Sequence, residues 1–193
     1  HLDGSHLRYA NLHQALLDGA NLRGAFLEGA FLEGAYLSDA VLVDADLEGA
    51  KLRHANLEGA NLTVANLNGA DLTRADLKSA RLWHANLEGV NIKSANLDSA
   101  NLEGAGLWCA NLADATLNGA DLRGADLTDA TMDGATLRGA NLNDAYTVDD
   151  DGNRVAVTAA DLKGANLDSA TLPAPSAAPT APTAVADTPG AGI

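Results

Sequence analysis

Residues 55–77 read ANLEGANLTVANLNGADLTRADL, and the rest of the chain is read outward from them. Every fifth residue is Leu, the residue two before it is Ala, and Asn or Asp stands between the two. Two variable residues complete the unit, and the second is often Gly (Gly49, Gly59, Gly69, Gly119). A fixed period of this kind outranks local propensity, because it dictates the architecture.

A period of five fits neither common secondary structure. On an α-helix a five-residue step turns through about 140°, so the leucines would spiral around the axis without forming a stripe. On a straight strand an odd period sends successive leucines to opposite faces. Both difficulties vanish if the chain turns a corner once per repeat. A short extended piece then points Ala and Leu to one side, and the two variable residues make the bend, where Gly suits a tight turn with φ > 0. Repeated bends of one hand wind the chain into a solenoid with Leu and Ala inside and β-type hydrogen bonds between coils.

The unit A-(N/D)-L-x-x resembles that of the pentapeptide-repeat family. It runs almost without a gap through residues 2–145 and resumes at 160–172. The resemblance implies an all-β fold, a right-handed quadrilateral parallel β-helix with one repeat on each side. The expected organisation is a β-helix over 1–145, an inserted loop or hairpin over 146–159, final repeats over 160–172, and a Pro/Ala/Thr-rich flexible tail over 173–193. At about 4.8 Å per layer, roughly seven coils make the regular body a rod of about 34 Å. Within residues 45–142, Leu gives way only to Ile92 and Met132 at inward positions, and Ala only to Val90. Such a lumen offers no convergent polar groups for a small molecule.

Composition agrees. The chain is 47% hydrophobic but only 4% aromatic, which suits a thin lumen filled layer by layer. A net charge of −14, with pI near 4.4, argues against direct nucleic-acid binding and anionic membranes, and permits basic partners. Cys109 is the only cysteine, so no internal disulfide can form. No run is long and apolar enough to span a membrane as a helix. The first pentads carry no cap and no initiator Met precedes them, so a truncated start is expected. The open solenoid end is also a candidate homodimer contact. A cytoplasmic location is the expectation.

Four departures from the rule carry the functional candidates. The residue before Leu is apolar at Leu16, Phe26, Phe31, Tyr36 and Val41, and Val43 is outward too. These side chains would girdle one level of the rod, either as a contact surface or as packing neighbours for a missing cap. The coil period of 20 sorts the charges by side. One side carries Glu28, Asp46, Glu48, Glu88, Asp126 and Asp129 against Arg8, and a second side, ten residues on in the coil, carries Asp18, Asp39, Glu58, Asp76 and Asp98 against Lys78 and Arg138. They form either a recognition surface or a solvated one. Trp83 and Trp108 fall at outward positions on adjacent sides, either as hot spots or lying flat over neighbouring turns. Finally, two β-prone runs, Tyr146–Val148 and Arg154–Thr158, flank Asp149, Asp150, Asp151, Gly152 and Asn153, a good hairpin turn. Asp149, Asp151 and Asn153 echo the start of a calcium loop, but the Gly is misplaced and position twelve is Ala160.

No nucleophile, acid–base pair or metal-ligand spacing stands out: Cys109 has no paired base, and His13, His54 and His84 share no ligand spacing. The expected function is therefore a non-catalytic acidic scaffold for protein–protein interaction, with no cofactor and no metal. The resemblance adds an alternative. Some members of the family bind DNA gyrase or topoisomerase IV as duplex mimics and give quinolone resistance, so a type II topoisomerase is a candidate partner. Against it, this chain has fewer Phe and Cys in its repeats than those relatives, and a Pro/Ala tail where they carry a C-terminal dimer helix.

Overall fold

A computed structural model describes residues 1–174. The flexible tail expected over 173–193 lies, from 175 onward, outside the described residues. The chain winds as a four-sided parallel β-helix. Each outward Asn or Asp pairs in parallel with its counterpart 20 residues on, as in Asp46↔Asn66 and Asn66↔Asn86, so one coil takes four repeats. Leu and Ala fill the lumen from Leu22 to Ala145, almost every one at 1% exposure or less, and no polar or charged side chain is buried among the described residues.

One repeat, residues 66–70, accounts for the whole motif. Asn66 N–H donates to Ala45 O in the coil below at 2.9 Å, while Leu67 and Gly69 N–H donate to Asn86 O and Glu88 O in the coil above at 2.7 and 2.9 Å. Ala70 N–H closes the corner on Leu67 O at 3.0 Å. Only Asn68 N–H is left, and the Asn66 side chain supplies its acceptor, Oδ1, at 3.2 Å. The Asn or Asp of the repeat is thus a corner cap that completes the backbone accounting. These caps also tie coil to coil: Asn86 Nδ2 donates to Asn66 Oδ1 at 3.1 Å, and Asn66 Nδ2 to Asp46 Oδ1 at 3.0 Å.

The corner between Leu and the next Ala is a type II turn, whose second central residue needs φ > 0. Every such position from Gly4 to Asp144 has it, whether Gly or not. Val64 meets the requirement least comfortably, at φ 52°, because a β-branched side chain crowds the backbone in the left-handed region. Its side chain is 41% exposed, so little burial would be lost with it. Val64→Gly is therefore expected to stabilise the rod by about 1 kcal/mol, the left-handed penalty less the extra entropy of a glycine. The urea midpoint checks it, and an unchanged or lower midpoint would count against the strain.

The insertion leaves the coil more sharply than the sequence indicates. Tyr146 still pairs with Asp126 in the ordinary way. Val157 then takes the inward place that Leu holds in nearly all the other repeats and is 2% exposed. Strands β1 (Tyr146–Val148) and β2 (Arg154–Ala156) form an antiparallel hairpin between them. Beyond it the coil resumes, with Thr136↔Asn166 and Asn141↔Thr171 paired across a step of 30 residues. The insertion lengthens one coil by two repeat lengths, which is why the five-residue frame survives it.

Candidate functional site

The 20-residue pitch stacks chosen side chains in columns, and three surface grooves include departures from the repeat in their linings. The lower groove, about 580 Å³, is framed by Arg8, Tyr9, Glu28, Phe31, Asp46, Glu48 and Lys51. A second, about 530 Å³, lies across the Tyr9–Phe31 pair, with Asn11, His13 and Glu33. The upper groove, about 440 Å³, lies between the rod and the hairpin, lined by Trp108, Asp126, Thr128, Asp129, Val148, Asp149 and Asp150.

The apolar girdle is real as a level of the rod, since Phe26, Phe31, Tyr36 and Val41 stand at the four successive outward positions of one coil, but its members differ. Phe26 is covered: His6 stacks on it at 4.8 Å and Arg8 lies over its ring at 4.5 Å. Phe31 and Tyr36 are about half exposed, Val41 is partly buried, and Leu16 is 79% exposed beside Tyr36 in the coil below. None of the four can cap its own corner, having no side-chain oxygen at the capping position. Tyr9, 72% exposed, belongs with them although the residue pattern did not single it out. It occupies a corner, and its ring lies across Gly29 one coil on, where an added Cβ would stand 2.5 Å from Cε1. The signal was there in the coil pitch: an aromatic corner residue directly beneath a glycine corner.

The acidic side is divided by its neighbours. In its lower half Glu28 is bound by Arg8 at 2.6 Å, and Lys51 shares the groove with Asp46 and Glu48. Glu88 stands between the grooves and lines neither of them. In its upper half Asp126 and Asp129 meet Asp149 and Asp150 from the hairpin, with no Lys, Arg or His lining the space. Trp108 forms part of the wall, its Nε1 donating to Asp129 Oδ2 at 3.4 Å. Thr128 binds Asp126 Oδ1 through N–H at 3.0 Å and Oγ1 at 2.6 Å. Trp83 does not join this groove; it packs against His84 with ring centroids 4.3 Å apart.

Within the hairpin the three aspartates have separate roles. Asp149 holds the turn: its Oδ1 accepts Asp151 N–H at 3.1 Å and Asn153 N–H at 2.8 Å. Those bonds, Asn153 N–H first, hold its carboxyl below the ordinary aspartate value. Asp150 borders the groove, whereas Asp151 sits at the tip outside it. The hairpin's single cation, Arg154, lies over the Tyr146 ring at 4.2 Å. Because the folded pKa of Asp149 is depressed, its support for the turn is complete above the ordinary aspartate value and is lost as acid takes the pH down through the lowered one. The Asp151 and Asn153 amide resonances are expected to titrate together at that lowered value; titration at the ordinary value would contradict the cap.

Comparison with known proteins follows from this geometry. A family model described as pentapeptide repeats matches in 8 copies, over residues 1–34, 15–53, 32–69, 40–78, 70–108 and 109–144. No curated protein matches the chain. One similar solved structure is HetL, a pentapeptide repeat protein involved in heterocyst differentiation regulation from the cyanobacterium Nostoc sp. strain PCC 7120. It is 33% identical, with 89% of this chain and 80% of that one covered, at a TM-score of 0.47. Another is trypsin-treated QnrB1, a plasmid-mediated fluoroquinolone resistance protein. It is 20% identical over 89% of this chain and 84% of that one, at a TM-score of 0.65, a likeness of fold. The shared fold is the right-handed quadrilateral parallel β-helix.

Proposed function

Since the chain belongs to the pentapeptide-repeat family, we propose that it is a non-catalytic, acidic β-helical scaffold that binds a protein partner with a basic surface. The observation that carries this reading is a run of acidic charge, nearly free of cations, fixed along a side of a stiff rod. Asp46, Glu48, Glu88, Asp126 and Asp129 share a side whose cation, Arg8, is already bound by Glu28. Fixed charges on such a scaffold steer an oppositely charged partner and set its register. All charged side chains among the described residues sit on the outer surface, around a lumen of Leu and Ala. A homodimer through a solenoid end is part of the same proposal. Sedimentation analysis reads it directly.

The test is capture of partners from the source cell by wild type and by the Glu48→Gln/Glu88→Gln/Asp126→Asn variant. Capture is expected to fall in the variant, and to fall for wild type as salt rises from about 0.05 to about 0.3 M, where screening shortens the reach of surface charge. An identical captured set from both proteins would refute the reading.

A second reading is a DNA mimic that binds DNA gyrase or topoisomerase IV. The acidic side extends along the rod as phosphates extend along a duplex, on the fold that QnrB1 also has. A supercoiling assay with and without fluoroquinolone decides it: neither inhibition nor protection at micromolar protein excludes a gyrase role.

A further inference from the structure

We propose that the groove between the hairpin and the rod is the docking point for an arginine side chain carried on a positively charged segment of a partner protein. The proposal rests on the scaffold reading and gives it an address.

The groove differs from the other acidic parts of the surface in three ways. First, its charge is uncompensated. The lower groove holds Arg8 and Lys51 among its carboxylates, whereas the upper one presents Asp126, Asp129 and Asp150 with no cationic side chain along its lining. The nearby Arg154 is engaged with the Tyr146 ring. Second, it is concave and partly apolar, because Trp108 from the rod and Val148 from the hairpin both line it, each more than a third exposed. Its volume, about 440 Å³, falls in the range of small-ligand sites. Third, the aromatic wall is oriented toward the carboxylates, Trp108 Nε1 reaching Asp129 Oδ2 at 3.4 Å.

These features select the occupant. A guanidinium stacks on an indole face and pairs with carboxylates through its planar fork, and an ammonium does both less well. A divalent metal ion is not the fit, because no three His, Cys, Asp or Glu side chains among the described residues come close enough to share one. An anionic or purely apolar segment would leave the carboxylates unpaired in a contact.

The experiment uses the full chain carrying Trp83→Phe, which leaves Trp108 as the reporter indole. An acetylated, amidated peptide of alternating Arg and Gly is titrated, beside the same peptide with citrulline for arginine. A saturable change in Trp108 fluorescence is expected with the arginine peptide and none with the citrulline peptide. Asp129→Asn/Asp150→Asn is expected to weaken binding about tenfold or more, the effect of losing a pairing of about 1.4 kcal/mol. Asp76→Asn/Asp98→Asn, on another side of the rod, changes the net charge equally and is expected to weaken it less than about twofold. Both pairs keep the side-chain oxygen that caps a corner or binds Trp108, so folding is undisturbed. Equal binding of citrulline, equal loss from the two double variants, or no saturable signal would each overturn the assignment. If the groove fails in this way while partner capture still falls when the acidic side is neutralised, the scaffold reading stands; if capture is indifferent to that neutralisation, the scaffold reading falls by itself.

Discussion

Leu87→Ala is expected to destabilise the protein by about 3–5 kcal/mol, at the upper end of what a buried leucine truncation costs. Leu87 is 1% exposed in the middle of the rod, with the lumen continuing above and below it. The cost of such a truncation depends on how far the surroundings can collapse into the space. Here they can hardly collapse at all. The wall around Leu87 is backbone pinned to both neighbouring coils, by Leu87 N–H to Gly106 O at 2.7 Å, Gly89 N–H to Trp108 O at 2.8 Å and Asn86 N–H to Ala65 O at 2.9 Å. Moving it inward would stretch several hydrogen bonds at once. Urea unfolding followed by circular dichroism measures the loss, with Glu88→Ala as the surface comparison, expected within about 0.5 kcal/mol of wild type. A loss below about 1.5 kcal/mol would mean that the coils relax into the cavity after all.

Deleting Thr147–Ala156 is expected to leave the β-helix folded and to abolish the upper groove. The deletion joins Tyr146 to Val157 and gives the sequence Ala145-Tyr146-Val157-Thr158-Ala159 followed by Ala160-Asp161-Leu162, two repeats in correct frame. Val157 already occupies the inward place, so the lumen needs no rearrangement. One strain is introduced: Ala159 becomes the corner residue that needs φ > 0, at a cost of about 1–2 kcal/mol, which a further Ala159→Gly should relieve. The shortened protein keeps Trp108, Asp126 and Asp129 but loses Val148 and Asp150. Its affinity for the arginine peptide is expected to fall about tenfold or more, with the thermal transition still cooperative. Loss of cooperative unfolding in the Ala159→Gly deletion would make the hairpin a structural part of the coil and not an attachment to it.

How much of this was legible before any coordinates? The fold was, because Leu and Ala recur with a period that suits neither helix nor flat strand, and the consequence reaches every repeat. The hairpin was legible too, since Asp149 to Asn153 is turn chemistry between β-prone runs. The role of the repeat's Asn was not: an outward polar residue reads as solubility until the single leftover N–H of each corner is found to need an acceptor. Nor was the fate of Phe26, which the sequence shows as an exposed aromatic and which His6 and Arg8 in fact cover. Those partners come from one coil below, and whether a side chain leans along the column or away from it is a matter of rotamer and packing.

The sequence by itself therefore determined the coil, its lumen, the columns 20 residues apart and the excess of acid on two of its sides. Periodicity suffices for this because each repeat repeats the same local geometry. What only the tertiary structure decided is which departures meet. Trp108 and Asp129 are brought to one side of the rod by the pitch, but Asp150 reaches them only because the hairpin folds back over that side. Its direction depends on how strands β1 and β2 leave the coil at Tyr146 and re-enter at Val157. No repeat encodes that angle, because the hairpin, alone among the described residues, has neighbours that are not a copy of itself.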